Sequence, residues 1–408
     1  MSTDKREFDV IVWGATGFTG RLVVEYLAGA YGDQDLRWAI AGRNAAKLEA
    51  VRSETSLGAS LPIIVADSDD AGSLDAMVQR ARVICTTVGP YAQYGSALVA
   101  ACARHGTHYC DLTGEVQWMR KMIDTYQAAA EESGAIIVHT CGFDCIPSDI
   151  GTWFVQSEMH RRHGVYASQV KFRVGKTRGG MSGGTVASMI NMMEEADRDP
   201  SIRDLLQDPY ALNPLNMPRG PDGPDQAGAV YDADFRQWTA PFVMSAINTR
   251  VVRRSNALMG YRYGKDFRYD ESILVGDGPM AYVSANLVAG MTVVGALAAA
   301  FSPARGLIKR LAPAPGEGPD RDTIENGYYT IEFLGVHPEQ RSKNLRARVT
   351  GDKDPGYGST SKMLAESAVC LALDELPVSG GIWTPASAMG DALTKRLTDR
   401  AGLTFEVL

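Results

Sequence analysis

Residues 8–20 read FDVIVWGATGFTG: an apolar run ends on a glycine, and two more glycines follow at three-residue intervals. The β-branched and aromatic content of Phe8 to Trp13 predicts a strand, while Phe18, Leu22, Val23, Tyr26 and Leu27 recur at helical spacing. The glycines therefore fall at a strand-to-helix turn. There Gly14 suits the tight turn, Gly17 lets a phosphate meet bare backbone, and Gly20 lets the helix lie close on the sheet. The helix N-terminus adds unpaired N–H groups and positive potential, so the loop predicts a bound pyrophosphate. Thr16, Phe18 and Thr19 share this loop and count with the glycines as candidate cofactor contacts.

A G-x-x-G-x-x-G pattern is by itself a weaker signal than G-x-G-x-x-G, and its surroundings decide its meaning. The segment LRWAIAGRNAAKL supplies a second strand ending at Gly42 and Arg43, then a helix. An NAD-binding protein usually carries an acidic residue here for the ribose hydroxyls. Arg43 instead offers a guanidinium to a 2′-phosphate, with Asn44 and Lys47 close behind, so the expected cofactor is NADPH. The segments LPIIVADSDD, ARVICTTVGPY, THYCDLTGE and GAIIVHTCGFDCIPSD read as four further strands separated by helices. This alternation predicts an α/β protein whose residues 1–150 form a Rossmann-type doubly wound parallel sheet. Strict alternation stops after Pro147. Residues 151–408 are expected to form a second α/β (α+β) domain for substrate and dimerisation, with a C-terminal part able to pack back on the first.

Ligands of such sheets lie beyond the carboxyl ends of the strands, which here carry Asp67, Thr86 to Tyr91, Asp111 to Glu115, and Asp144. Asp67 is placed either to meet the adenine amino group or to cap the helix beginning near Ala71, and the sequence leaves both open. Thr87, Gly89 and Pro90 supply small or rigid positions where a dinucleotide crosses the sheet. Tyr91 and Glu115 are the candidate proton donors. The stretch DLTGEVQWM, however, also reads as a helix-capping sequence, the commoner role for such residues.

The chain is 45% hydrophobic and 22% charged, which excludes disorder throughout its 408 residues. Its net charge of −7 gives no basic field for nucleic acid. The six cysteines lie mostly in apolar segments, and the first residues lack the apolar core of a signal peptide, which together predict a reducing cytoplasmic setting. Cys141 and Cys145 have no matching His or Cys pair nearby, so they read as buried thiols and no metal is expected.

In the second half, SQVKFRVGKTRGGMSGGTVASMINMMEEA predicts a strand, a glycine-rich turn and an amphipathic helix bearing Met189, Met192 and Met193. Residues 211–229 are rich in Pro and Gly and predict a loop. Tyr261 and Lys265 imitate the Y-x3-K pair of short-chain dehydrogenases but lie outside the nucleotide half. Residues 278–304 carry no charged side chain, and Arg305, Lys309 and Arg310 follow. Alanine, glycine and Asn286 in that segment favour a helix or helical hairpin, buried in protein or dipping into a membrane surface, over a span. Peripheral contact with the inner face of the plasma membrane and a small apolar substrate follow as expectations.

The segments WGATGFTG, TTVGPY, YCDLTGE, GFDCIPSD, SGGT, GDKDPGYGSTSKM and TPASAMG, taken together, resemble the saccharopine dehydrogenase-like oxidoreductases. Within that group the chain is most similar to the trans-acting enoyl reductases that work beside polyketide synthases on long-chain lipids. The resemblance spans nearly the whole chain. It implies an NADP(H)-binding first domain, with Gly14, Gly17, Gly20 and Arg43 as cofactor positions, and reduction of a carbon–carbon double bond conjugated to a thioester. The substrate would be carrier-protein- or CoA-linked, and the protein a homodimer. Two other functions stay open at this point: an imine or keto/amino-acid reductase of saccharopine dehydrogenase type, and a non-catalytic NADPH-binding, lipid-associated protein.

Overall fold

The computed structural model describes residues 6–32, 36–180, 183–300 and 318–408. The expectations for Met181 and Ser182 in the glycine-rich turn, and for residues 301–310 with their basic side chains, lie outside the described residues.

Strand β1 (Phe8–Trp13) is buried along its whole length, which is why it reads as a continuous apolar run and not an alternating one. It forms the middle of a parallel sheet with β2 (Trp38–Gly42), β3 (Ile63–Val65), β4 (Ala81–Thr86), β5 (His108–Cys110) and β6 (Ile136–Val138). A seventh strand, β13 (Gly381–Trp383), comes from far along the chain and pairs in parallel with β6. The order is β13-β6-β5-β4-β1-β2-β3. The order reverses between β1 and β4, and this crevice is where a doubly wound sheet takes its dinucleotide. The expected doubly wound class is therefore the observed one.

Helix α1 (Phe18–Tyr31) follows β1 and buries Val23, Val24, Leu27 and Ala28 against the sheet. Beside it lies a helix from the C-terminal region, Thr360–Leu373, which packs on β1, β4 and β5. Its Glu366, fully buried, accepts hydrogen bonds from the Tyr26 and Tyr31 hydroxyls of α1 at 2.7 and 2.8 Å. Arg396 stands 3.3 Å away as the compensating charge.

The second sheet is built from β7 (Gln169–Arg178), β8 (Val230–Asp232), β9 (Gln237–Ala240), β10 (Arg268–Gly276), β11 (Tyr328–Val336), β12 (Leu345–Gly351) and β14 (Leu403–Val407) in the order β14-β12-β11-β7-β10-β9-β8; β7 is parallel to β10 and the other pairs are antiparallel. Helices Ile146–His163 and Ser245–Leu258 cover one face. There Phe172 meets Phe333 edge to face at 5.3 Å, and Gly151 lies against the same Phe333 ring. The apolar segment forms a helix, Gly278–Ala300, which turns Ala281, Ala285 and Ala289 inward and packs on β9 (Gln237–Ala240) and β10. Among the described residues, no helix is long and apolar enough to cross a membrane.

Candidate active site

A cleft of about 1230 Å³ runs along the carboxyl ends of β1, β2 and β4. Gly14 sits at φ +88°, in the left-handed region that favours glycine, and a Cβ there would lie 2.6 Å from Val88 Cγ2. A Cβ on Gly20 would overlap the Gly14 carbonyl oxygen. Gly17 is the N-cap of α1, with no side-chain hydrogen bond to the helix and no acidic residue in the first turn. The first amides of α1 are thus left for an anion, which is the condition a pyrophosphate requires. Thr87 ties the loop to β4 by donating to the Gly14 carbonyl at 3.2 Å.

At the end of β2, Arg43 lines the cleft, is exposed, and has no hydrogen-bond or ion-pair partner among the described residues. Asn44 caps the following helix by accepting the Lys47 amide at 2.9 Å, which turns Lys47 toward the same cleft. Asp67 also lines the cleft. Its carboxylate accepts the Asp69 amide at 3.1 Å, while the helix cap itself is Asp70. Thr16, Phe18, Thr87 and Gly89 line the cleft as well; Thr19, Gly20, Asn44 and Pro90 are not among the residues that line it. The glycine cradle, the uncapped helix and the exposed Arg43 guanidinium are chemically suited to a dinucleotide that carries an extra phosphate, as NADPH does.

In a doubly wound sheet a dinucleotide crosses the switch point, which here opens toward the ends of β4, β5 and β6. Helix α4 (Tyr91–Tyr94) begins there. The Tyr91 ring is buried, and its hydroxyl donates to the Thr86 carbonyl at 3.2 Å. Glu115, also buried, is the N-cap residue of helix Val116–Ser133, yet it makes no side-chain hydrogen bond to that helix. Its carboxylate instead crosses to α4, accepting the Tyr91 and Ala92 amides at 2.8 and 2.9 Å and the Ser188 hydroxyl at 3.0 Å. Burial pushes the Glu115 carboxyl above its ordinary range, and these donors oppose that shift. Neither Tyr91 nor Glu115 lines the cleft.

Ser188 belongs to helix Gly183–Arg198 of the second half, which meets the Glu115 corner through this bond. Gln93 donates to Asn191 at 2.7 Å and Gln117 to Glu195 at 2.9 Å across the same seam. Three groups here were invisible to sequence reasoning. His139 Nδ1 lies 2.7 Å from Asp111, with Nε2 buried and without a hydrogen-bond partner among the described residues. Ser188 is an ordinary helix serine until the fold brings it to Glu115. Asp354, fully buried, accepts the amides of Gly180, Tyr357 and Gly358 and so fixes the turn of the DPGYGS motif against the glycine-rich turn.

A doubly wound sheet with this cleft defines a dinucleotide-binding protein. A family profile described as the saccharopine dehydrogenase NADP binding domain matches residues 10–138. A relative from Mycobacterium tuberculosis, provisionally named a trans-acting enoyl reductase, is 43% identical over 418 residues, covering 100% of this chain and 99% of its own. A trans-acting enoyl reductase from Mycobacterium bovis is 39% identical, with 97% of each chain covered. Among solved structures, saccharopine dehydrogenase (L-Glu forming) from Saccharomyces cerevisiae aligns over 98% of this chain and 99% of its own, with a TM-score of 0.53 and 13% identity, a likeness of fold. The chain belongs to the trans-acting enoyl reductase family.

Proposed function

We propose that this protein reduces the carbon–carbon double bond of an apolar enoyl thioester, carried on CoA or a carrier protein, with NADPH as reductant. The observation that carries the cofactor half is the uncapped α1 N-terminus between Gly14 and Gly20, with the free Arg43 guanidinium at the end of β2. The enoyl half is supported by full-length relatives that bear the name enoyl reductase. Bound NADPH supplies a hydride to the substrate's β-carbon. The chain's own residues position the reactants and exclude water. Glu115 holds the Tyr91 turn beneath the nicotinamide corner, and the half-buried Met189, Met192 and Met193 offer an adaptable apolar surface nearby.

The same reading takes in where the protein works. Helix Gly278–Ala300 exposes Met280, Val283, Leu287, Met291 and Val294 on one side, a stripe suited to peripheral contact with the inner face of the plasma membrane. A cytoplasmic site fits the six cysteines, all free and buried. We place the second sheet at the interface of a homodimer.

Parallel titration with NADPH and NADH, followed by nicotinamide fluorescence, tests the cofactor assignment. Screening enoyl-CoA chains by NADPH oxidation tests the reaction. Turnover confined to keto or amino acids would support the saccharopine-type reductase instead, and tight NADPH binding without any turnover would support the non-catalytic alternative.

A further inference from the structure

Two aspartates at the edge of the nucleotide sheet stand in opposite circumstances. Asp111, at the end of β5 and fully buried, receives the Tyr109 hydroxyl at 2.8 Å, the Thr113 amide at 3.1 Å, the Thr140 amide at 3.0 Å and the His139 ring at 2.7 Å. Its lone pairs are committed, so it is a structural post that ties β5 to β6. Asp144, just past the end of β6, makes no hydrogen bond or ion pair among the described residues and keeps part of its surface open.

The path of the chain to Asp144 is built with some strain. Thr140 sits at φ +65°, which a β-branched residue adopts only when its surroundings compel it. The Asp111 carboxylate supplies that compulsion through the Thr140 amide. The turn then sets Gly142 against Thr360 and brings Asp144 beside Gly114, where a Cβ would lie 3.9 Å from Asp144 Oδ2. Gly114 precedes Glu115, Glu115 holds Ser188 at 3.0 Å, and a Cβ on Gly89 would lie 3.8 Å from that same Ser188 hydroxyl. Asp144 thus stands beside the Gly114–Glu115 corner that Ser188 joins to the neighbourhood of Gly89, and like Tyr91 and Glu115 it lies outside the residues that line the cleft along β1, β2 and β4.

We infer that Asp144 is the acid that protonates the substrate's α-carbon, an assignment that rests on the enoyl reductase reading above. When hydride adds at the β-carbon, the C=C π pair moves onto the α-carbon and the thioester carbonyl. The Asp144 O–H bond then breaks, its proton bonds to the α-carbon, and the carboxylate is reprotonated from water as product leaves. One enoyl thioester, one NADPH and one proton become one saturated thioester and one NADP⁺. A general acid in this position works best with a pKa near the working pH. Burial lifts the Asp144 carboxyl to about 6, and no ionisable neighbour contributes to that shift. The adjacent Cys145 thiol is buried and pushed well up, so it stays neutral beside it.

The test uses the full-length protein with D144N and D144E, trans-2-dodecenoyl-CoA as probe, and NADPH binding read by fluorescence. D144N is expected to bind NADPH as the wild type does while kcat falls about 100- to 10,000-fold, and D144E to recover part of the loss. The wild-type kcat should decline above about pH 6, and that limb should vanish in D144N. A second readout needs no turnover: between pH 4 and 6 the wild type should lose stability relative to D144N, because only it carries the lifted acid. Wild-type kcat in D144N, or identical stability profiles, overturns the inference. A wild type that binds NADPH but reduces no enoyl thioester overturns the enoyl reading itself, an outcome distinct from an active wild type matched by an active D144N.

Discussion

Gly20 lies so close beneath Gly14 that a single methyl group on it would overlap the Gly14 carbonyl oxygen. The helix that receives the pyrophosphate can approach its strand only because both positions lack side chains. Gly20→Ala is therefore expected to push α1 away from β1. The shift should cost about 1–3 kcal/mol of stability and abolish measurable NADPH binding. Thermal melts and NADPH titration of the variant check both parts.

Arg43 is expected to bear on the choice of cofactor and not on folding, because it is exposed and has no hydrogen-bond or ion-pair partner among the described residues. Arg43→Ala should weaken NADPH by about 10- to 100-fold and leave NADH nearly unchanged, as expected for loss of charge-assisted bonds to a phosphate. Equal weakening of both would remove the 2′-phosphate assignment.

Glu115 uses both carboxylate oxygens on α4, taking the Tyr91 amide on one and the Ala92 amide on the other. Glu115→Gln keeps one acceptor oxygen and places an NH₂ against the second amide. A loss of about 1–3 kcal/mol in stability is expected, with kcat falling more than NADPH affinity as the corner beyond Gly89 loosens. Chemical denaturation and steady-state kinetics measure the two effects.

Asp149 and Glu271 are buried acids whose carboxyls are pushed up to about 7, and Asp144 is pushed up to about 6, in each case chiefly by burial. A folded-state pKa above the unfolded value, about 4 for a carboxyl, means that the folded protein holds more protons through this window. The stability these groups contribute is complete below about pH 4 and is lost as pH rises through 6 to 7. Carboxylates held low, such as Asp75 beside Arg104, act in the opposite sense but below about pH 4. The thermal midpoint should therefore fall between pH 4 and 7 and then level. Asp149→Asn, which keeps an acceptor for the Ser255 hydroxyl, should flatten part of that fall.

Leu287 and Met291 stand on the outer side of helix Gly278–Ala300, at 62% and 58% exposure, with the alanine side turned to the sheet. Replacing both with Glu should leave folding and NADPH binding intact, since neither supports the core. Sedimentation with vesicles containing anionic phospholipid should drop to background. Unchanged co-sedimentation would remove this helix from any membrane role.

Much of this protein was written locally. The period of the apolar residues distinguishes β1 from α1, Gly14 and Gly20 mark a close backbone approach, and Arg43 at the end of a strand signals the cofactor, because each property depends on neighbours within a few residues. The fate of a carboxylate does not. The sequence marks Glu115 as a candidate acid and places Asp111 and Asp144 only at strand ends. Only the folded chain shows four donors converging on Asp111, the Glu115 carboxylate committed to another helix, and Asp144 left without a hydrogen-bond or ion-pair partner among the described residues. The same holds for β13, which joins β6 from more than two hundred residues away because an open sheet edge accepts any strand that satisfies its hydrogen bonds. Local pattern determines which elements form and which faces are apolar. Desolvation and hydrogen-bond supply at the site are decided by what tertiary packing brings in from elsewhere, and they set which residue can hold a proton.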